Sequence, residues 1–242
     1  MSPAPKFSAE QQLQMVKDAA VQCIEDTSLL SFTMSSVAKA AGLSMGSVYK
    51  QVQSKEDLLI ALAVDMFEHE RQAFKKIMAL PLTTPEILIA FNLMDFHKTW
   101  FYSFSDELNT LVSSDSIIKR ASPLWLSRMS DAANALGQEF TNLIGKAVDT
   151  GEVDNEGRDR EQLVMEIEVG GWALCHGYMQ AVLRHHTRNA LGPDAPLPFP
   201  LTTDDHLVRN TQRLLNTYKW QQPLTDDGIQ KAAQLLTNIG YR

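Results

Sequence analysis

From Phe32 to Leu58 the chain reads FTMSSVAKAAGLSMGSVYKQVQSKEDL, a pattern with few solutions other than two short helices around a tight turn and a third helix close behind. Thr33 is placed to cap the first helix, whose apolar positions Met34, Val37, Ala38 and Ala41 recur at helical spacing. Gly42 supplies the positive φ that stops it. Ser44 is placed to cap the second, Met45 to about Val52, with Met45, Ser47, Tyr49 and Lys50 toward solvent. Gly46 is small enough to let the backbone approach a phosphate. Ser54 and Asp57 have capping-box spacing at the third start, where free helical N–H groups beside Lys55 form an anion site. A short glycine turn between two such helices makes a helix-turn-helix, which seats its second helix in the major groove of DNA.

The remaining chain predicts helix after helix, with no alternating β-branched run and no Asn-Gly hairpin signal. Ser8 to Gln11 is a capping box that opens the first helix, and a helix from Ser54 to about Met78 joins head to body. Thr84-Pro85 opens a long helix to about Val112, Ser122-Pro123 another to about Thr150, and a third runs from about Arg158 to His186. A Pro-rich linker over Asn189–Thr203 precedes helices at about 204–220 and 226–239. The expectation is an all-α chain of two domains. Residues 1–53 form a three-helix DNA-binding head, and residues 54–242 form a larger helical ligand-binding and dimerisation domain.

Composition sets limits on function. No stretch approaches 18 uninterrupted apolar residues and the first residues lack a basic-then-apolar leader, so the expected setting is the cytoplasm, away from any membrane. Cys23 and Cys175 stand far apart without metal-ligand spacing, and no Gly-rich phosphate loop, G-x-S-x-G or H-E-x-x-H is present. Hence neither an enzyme nor a cofactor or metal site is expected. Net charge is −7, and through Leu58 there are five lysines, six carboxylates and no arginine. Charge alone therefore does not predict DNA binding. The motif does, with base recognition resting on Lys50, Gln51, Ser47 and contacts from Met45 to thymine methyl groups.

Residues Thr33, Val37, Ala38, Ala41, Gly42, Leu43, Ser44, Gly46, Ser47 and Tyr49, followed by Ser54, Lys55, Glu56 and Leu58, stand in the order T-x-x-x-[IV]-A-x-x-A-G-[VL]-S-x-G-[ST]-x-Y and S-K-E-x-L. In this the chain resembles the TetR family of bacterial regulators over about its first quarter. Ser28, Gln51 and Val52 depart from the Gly, His and aromatic residue common in that family. The resemblance implies a homodimer on a palindromic operator, phosphate contacts from Tyr49 and Lys55 with the helix starts at Thr33 and Ser44, and a pocket in the body for a small molecule.

Residue chemistry supplies a candidate pocket. His97, Trp100, Phe101 and Phe104 follow one another at helical spacing, Trp125 and Met129 open the next long helix, and Trp172, His176 and Met179 form a stripe on the one after. Rings and thioethers with a few polar handles suit an apolar or amphipathic effector, although each residue taken singly also suits ordinary core. Gly170, Ala173, Gly177 and Ala181 form a small-residue stripe on the same helix, fit for an internal crossing or a two-fold interface. The TetR resemblance implies dimerisation through C-terminal helices. The leading expectation is a repressor released by such an effector. Two alternatives remain: a ligand-independent DNA-binding or protein-interaction factor on the same fold, and a helical interaction protein that has lost DNA binding.

Overall fold

The computed structural model describes residues 7–188 and 199–242, so most of the expected Pro-rich linker lies outside the described residues. Those residues form an all-α fold of twelve helices: α1 (Ala9–Asp26), α2 (Met34–Ala40), α3 (Met45–Gln51), α4 (Lys55–Met78), α5 (Thr84–Leu93), α6 (Phe96–Thr99), α7 (Ser105–Val112), α8 (Asp115–Ile118), α9 (Pro123–Asp149), α10 (Arg160–Arg188), α11 (His206–Leu215) and α12 (Asp226–Asn238). Among the described residues no helix is long and apolar enough to cross a membrane. The helices fall into two compact units. One contains residues 1–70 and 100–136, the other residues 71–99 and 137–242.

The first unit is larger than the head expected over residues 1–53, because the helix-turn-helix does not close its core alone. Val16, Ile24, Leu29, Phe32, Val37, Val48 and Val52 share one buried cluster with Leu58, Leu62 and Met66 of α4 and with Phe104, Leu108, Val112, Ile117 and Trp125. Three short helices bury too little apolar surface to stand alone, and residues 100–136 supply the missing wall. Polar ties add to this. Lys17 of α1 pairs with Asp65 of α4 at 2.6 Å, and Ser103 Oγ donates to Glu25 at 3.3 Å.

The second unit packs the end of α4 with α5, the end of α9, and α10 to α12 around Ile77, Ile89, Leu93, Ile144, Leu163 and Leu236. Phe74, Phe91 and Phe140 meet at centroid distances of 4.7, 4.8 and 5.5 Å. The cap of α5 is Thr83, in a capping box with Glu86, while Thr84 instead gives its N–H and hydroxyl to Glu152 at 2.7 and 2.6 Å. The long helix expected over 84–112 is broken into α5, α6 and α7. Groups distant in sequence satisfy the broken end: Asp95 N–H donates to Tyr241 O at 2.7 Å and Arg242 to Leu93 O at 2.5 Å. Buried Asn92 meanwhile donates to Thr211 Oγ1 at 2.7 Å.

Candidate nucleic-acid interface

Local chemistry builds α2 and α3 as a matched pair. Thr33 Oγ1 accepts the Ser36 N–H at 3.1 Å and Ser36 Oγ accepts the Thr33 N–H at 3.2 Å, so both ends of the box close. Gly42, at φ +63°, ends α2 and directs the Leu43 N–H back to Ala38 O at 3.0 Å. Ser44 Oγ then accepts the Ser47 N–H at 3.1 Å and starts α3. Val48 and Val52 point into the core while Met45, Gly46, Tyr49 and Lys50 are exposed and Ser47 and Gln51 half-exposed. One face of α3 therefore anchors the helix and the other presents two amphipathic side chains, a cation and an amide. A Cβ added at Gly46 would meet only Ser44 Oγ, at 3.9 Å. Nothing in this chain requires glycine there.

Two lysines of the same unit are engaged within the chain. Lys17 is held by Asp65, as above. Lys55 Nζ donates to Leu30 O at 2.7 Å and Phe32 O at 2.9 Å and lies 4.2 Å from the Phe32 ring centroid. Burial holds its pKa below the usual lysine value, against the opposing pull of Glu56. The ammonium expected at a phosphate thus spends two of its three donors on the turn between α1 and α2. Lys39 and Lys50 are exposed.

The nine residues expected to line a pocket are not gathered into one site within either unit. Phe104 is buried and stacks on Tyr102 at 5.1 Å, Phe101 is exposed and stacks on His69 at 4.8 Å, and Trp125 is buried with the Arg128 guanidinium 4.6 Å from its ring. Met129 packs half-buried on the same core and Trp100 is half-buried. In the other unit His97 is exposed and Met179 half-buried. Trp172, expected to face inward, is 66% exposed, with the exposed His176 ring stacked on it at 5.3 Å. The physical reason lies in α10, whose core contacts come from Leu163, Val164 and Ile167 and, further along, from Leu174, Cys175 and Tyr178, and leave the Trp172 side outside. Two open surface grooves of about 520 and 550 Å³ are lined by other residues, Val153 and Trp220 in one and Met165 and Val169 in the other.

The small-residue stripe faces outward over most of its length. A Cβ at Gly170 would touch Leu214 at 3.6 Å, but one at Gly177 meets nothing within 4 Å, and Ala173 and Ala181 are exposed. Beside them run Met165 and Val169, 64% and 51% exposed, which line up with Trp172 at spacings of four and three. Sequence reasoning missed these two because α10 carries apolar residues around most of its circumference. Their spacing was visible, but their direction was not.

Residues 17–62 match the model of the bacterial regulatory proteins of the tetR family. A search of curated proteins by sequence finds no match. Among solved structures, the chain is similar to the superantigen PfiT, with a TM-score of 0.55 and 13% identity, covering 89% of this chain and 100% of that one. It is similar also to a bacterial regulatory protein in the tetR family from Rhodococcus RHA1, at TM-score 0.51 and 15% identity over 88% of this chain and 99% of that one. A third likeness is to the transcriptional regulator FadR from Bacillus subtilis in complex with stearoyl-CoA, at TM-score 0.50 and 17% identity over 84% and 95%. At these identities the likenesses show the fold.

Proposed function

We infer that the chain, whose residues 17–62 match the tetR family model, is a DNA-binding transcriptional regulator of the TetR family. Two copies bind one palindromic operator, and α3 of each enters a major groove, the two grooves lying about 34 Å apart. Thr33, Ser44, Gly46 and Tyr49 meet phosphates through helix starts, close backbone approach and a phenol. Met45, Ser47, Lys50 and Gln51 read base edges. The observation that carries this reading is Gly46, an exposed glycine inside a helix with open space where its Cβ would stand. Glycine costs a helix stability there, and close approach of a backbone from outside the chain accounts for its presence.

Dimerisation is assigned to the outer face of α10, where Met165, Val169 and Trp172 lie beside Ala173, Gly177 and Ala181. Exposed apolar side chains in register with small residues favour close packing against a second copy. Regulation follows if an apolar or amphipathic molecule, the class to which the stearoyl-CoA bound by the Bacillus subtilis protein belongs, favours a conformation in which the two α3 helices no longer match the operator. The repressor reading takes that form. The packing favours a ligand-independent factor where Phe104 and Trp125 are concerned, since both are closed into the core around α4.

The test is titration of a labelled duplex at several salt concentrations. With Lys17 and Lys55 held internally, Lys39 of each protomer is the lysine left among the described residues of the head to meet phosphates while Lys50 lies at base edges, so the log–log salt slope should fall between about −2 and −4. Tyr49→Ala should weaken selected and random duplexes alike. A slope near zero would remove the DNA reading and promote the interaction-protein alternative.

A further inference from the structure

Asp57 is fully buried in the first turn of α4, in the unit that carries the helix-turn-helix. Its carboxylate faces two backbone amides, one four residues back and one 65 residues on. Oδ2 accepts the Gln53 N–H at 3.0 Å, and Oδ1 accepts the Ser122 N–H at 2.7 Å. Its own N–H donates to Ser54 Oγ at 3.0 Å. A neighbouring pair repeats the connection on the surface, where Arg120 lies 3.6 Å from Glu56. A carboxylate withdrawn from water is costly unless hydrogen-bonded, and these N–H donors with the α4 N-terminus compensate it.

Gln53 stands two residues after the end of α3, and the intervening Val52 is buried while its N–H closes on Val48 O at 3.0 Å. Fixing the Gln53 amide therefore fixes where α3 leaves off and how its exposed face is turned. The other oxygen ties that point to Ser122, the residue that opens α9. An asparagine could accept only one of these two amides and would set an N–H against the other.

Resting on the DNA-binding reading above, we propose that Asp57 is a positioning residue for DNA recognition: one buried carboxylate holds the exit of the recognition helix against the start of α9. It touches no DNA. Its effect is on specificity, because base contacts need α3 placed closely whereas phosphate attraction tolerates displacement.

The experiment uses the full chain, a fluorescein-labelled duplex selected by the wild-type chain from a random pool, and a random duplex of equal length. Ser122→Pro deletes the amide facing Oδ1 without altering the head, Ser122→Ala is its reference, and Asp57→Asn removes one acceptor. Both Ser122→Pro and Asp57→Asn should bind the selected duplex about tenfold more weakly, with binding to the random duplex within about twofold of wild type. The double variant should lose less than the product of the two single losses. Equal proportional losses on both duplexes, or Ser122→Pro binding as Ser122→Ala does with an unchanged melting curve, would overturn the proposal. If proline unfolds the unit, the ratio between duplexes for Asp57→Asn decides alone. A wild-type chain that selects no duplex would overturn the DNA reading itself and this inference with it.

Discussion

Replacing Gly46 with alanine should raise stability and lower DNA affinity, two effects of opposite sign from one methyl group. The added Cβ meets only Ser44 Oγ, at 3.9 Å, which is ordinary van der Waals contact. Glycine inside a helix costs about 0.5–1 kcal/mol relative to alanine. Because Gly46 is the second residue of α3, the lower half of that range applies. For a chain of this size that corresponds to a rise in Tm of roughly 1–3 °C. On DNA, the same methyl group occupies the space through which a phosphate reaches the backbone. Losing one hydrogen bond to a charged acceptor costs about 1.5 kcal/mol or more per protomer, so a dimer should bind about a hundredfold more weakly. Differential scanning calorimetry gives the first quantity and fluorescence anisotropy on a selected duplex gives the second. An unchanged affinity in a stabilised Gly46→Ala protein would show that no phosphate approaches here. A fall in Tm would show that the space beside Gly46 is not open.

Three further perturbations address other parts of the account. Lys55→Met keeps the aliphatic stem over Phe32 but removes donors from the Leu30 and Phe32 carbonyls, so urea unfolding should show a loss of about 1–2 kcal/mol after allowance for solvent screening. A lysine that served only a phosphate would leave the midpoint where it is. Burial pushes Glu70 up to about 7, so the folded chain holds a proton that the unfolded chain releases near its ordinary carboxylate value. Stability present below that ordinary value is lost as pH rises through about 7, by at most about 3 kcal/mol. Glu70→Gln should flatten this slope between pH 5 and 8, and an identical slope in variant and wild type would refute the assignment. Trp172→Asp should convert a micromolar dimer to monomer in sedimentation equilibrium, and a variant that stays dimeric would move the interface off α10.

Local signals in the sequence transferred directly to the structure. Ser8, Thr33, Ser44 and Thr225 each cap the helix whose start they mark, because a cap needs only residues within one turn. Gly42 adopts the left-handed φ its position calls for. What depends on remote partners was not legible. The break after α5 relies on Tyr241 and Arg242, and the enlarged head relies on Phe104, Leu108 and Trp125. Nothing in the local pattern of residues 84–112 announces those contacts. The outward turn of Trp172 was hidden for a related reason: periodicity identifies a helix face, but only packing decides which of two apolar faces is covered. Asp57 was visible as the capping-box partner of Ser54, while its carboxylate accepts from the Gln53 N–H and from that of Ser122, 65 residues away.

Selection of bound fragments from random duplex DNA by the purified protein decides whether the chain recognises an operator as a dimer. The expected result is a palindrome whose half-sites are centred about one helical turn apart or a multiple of it, protected by two copies of the chain. Recovery of no enriched sequence, or of an asymmetric site bound by a single copy, would contradict it.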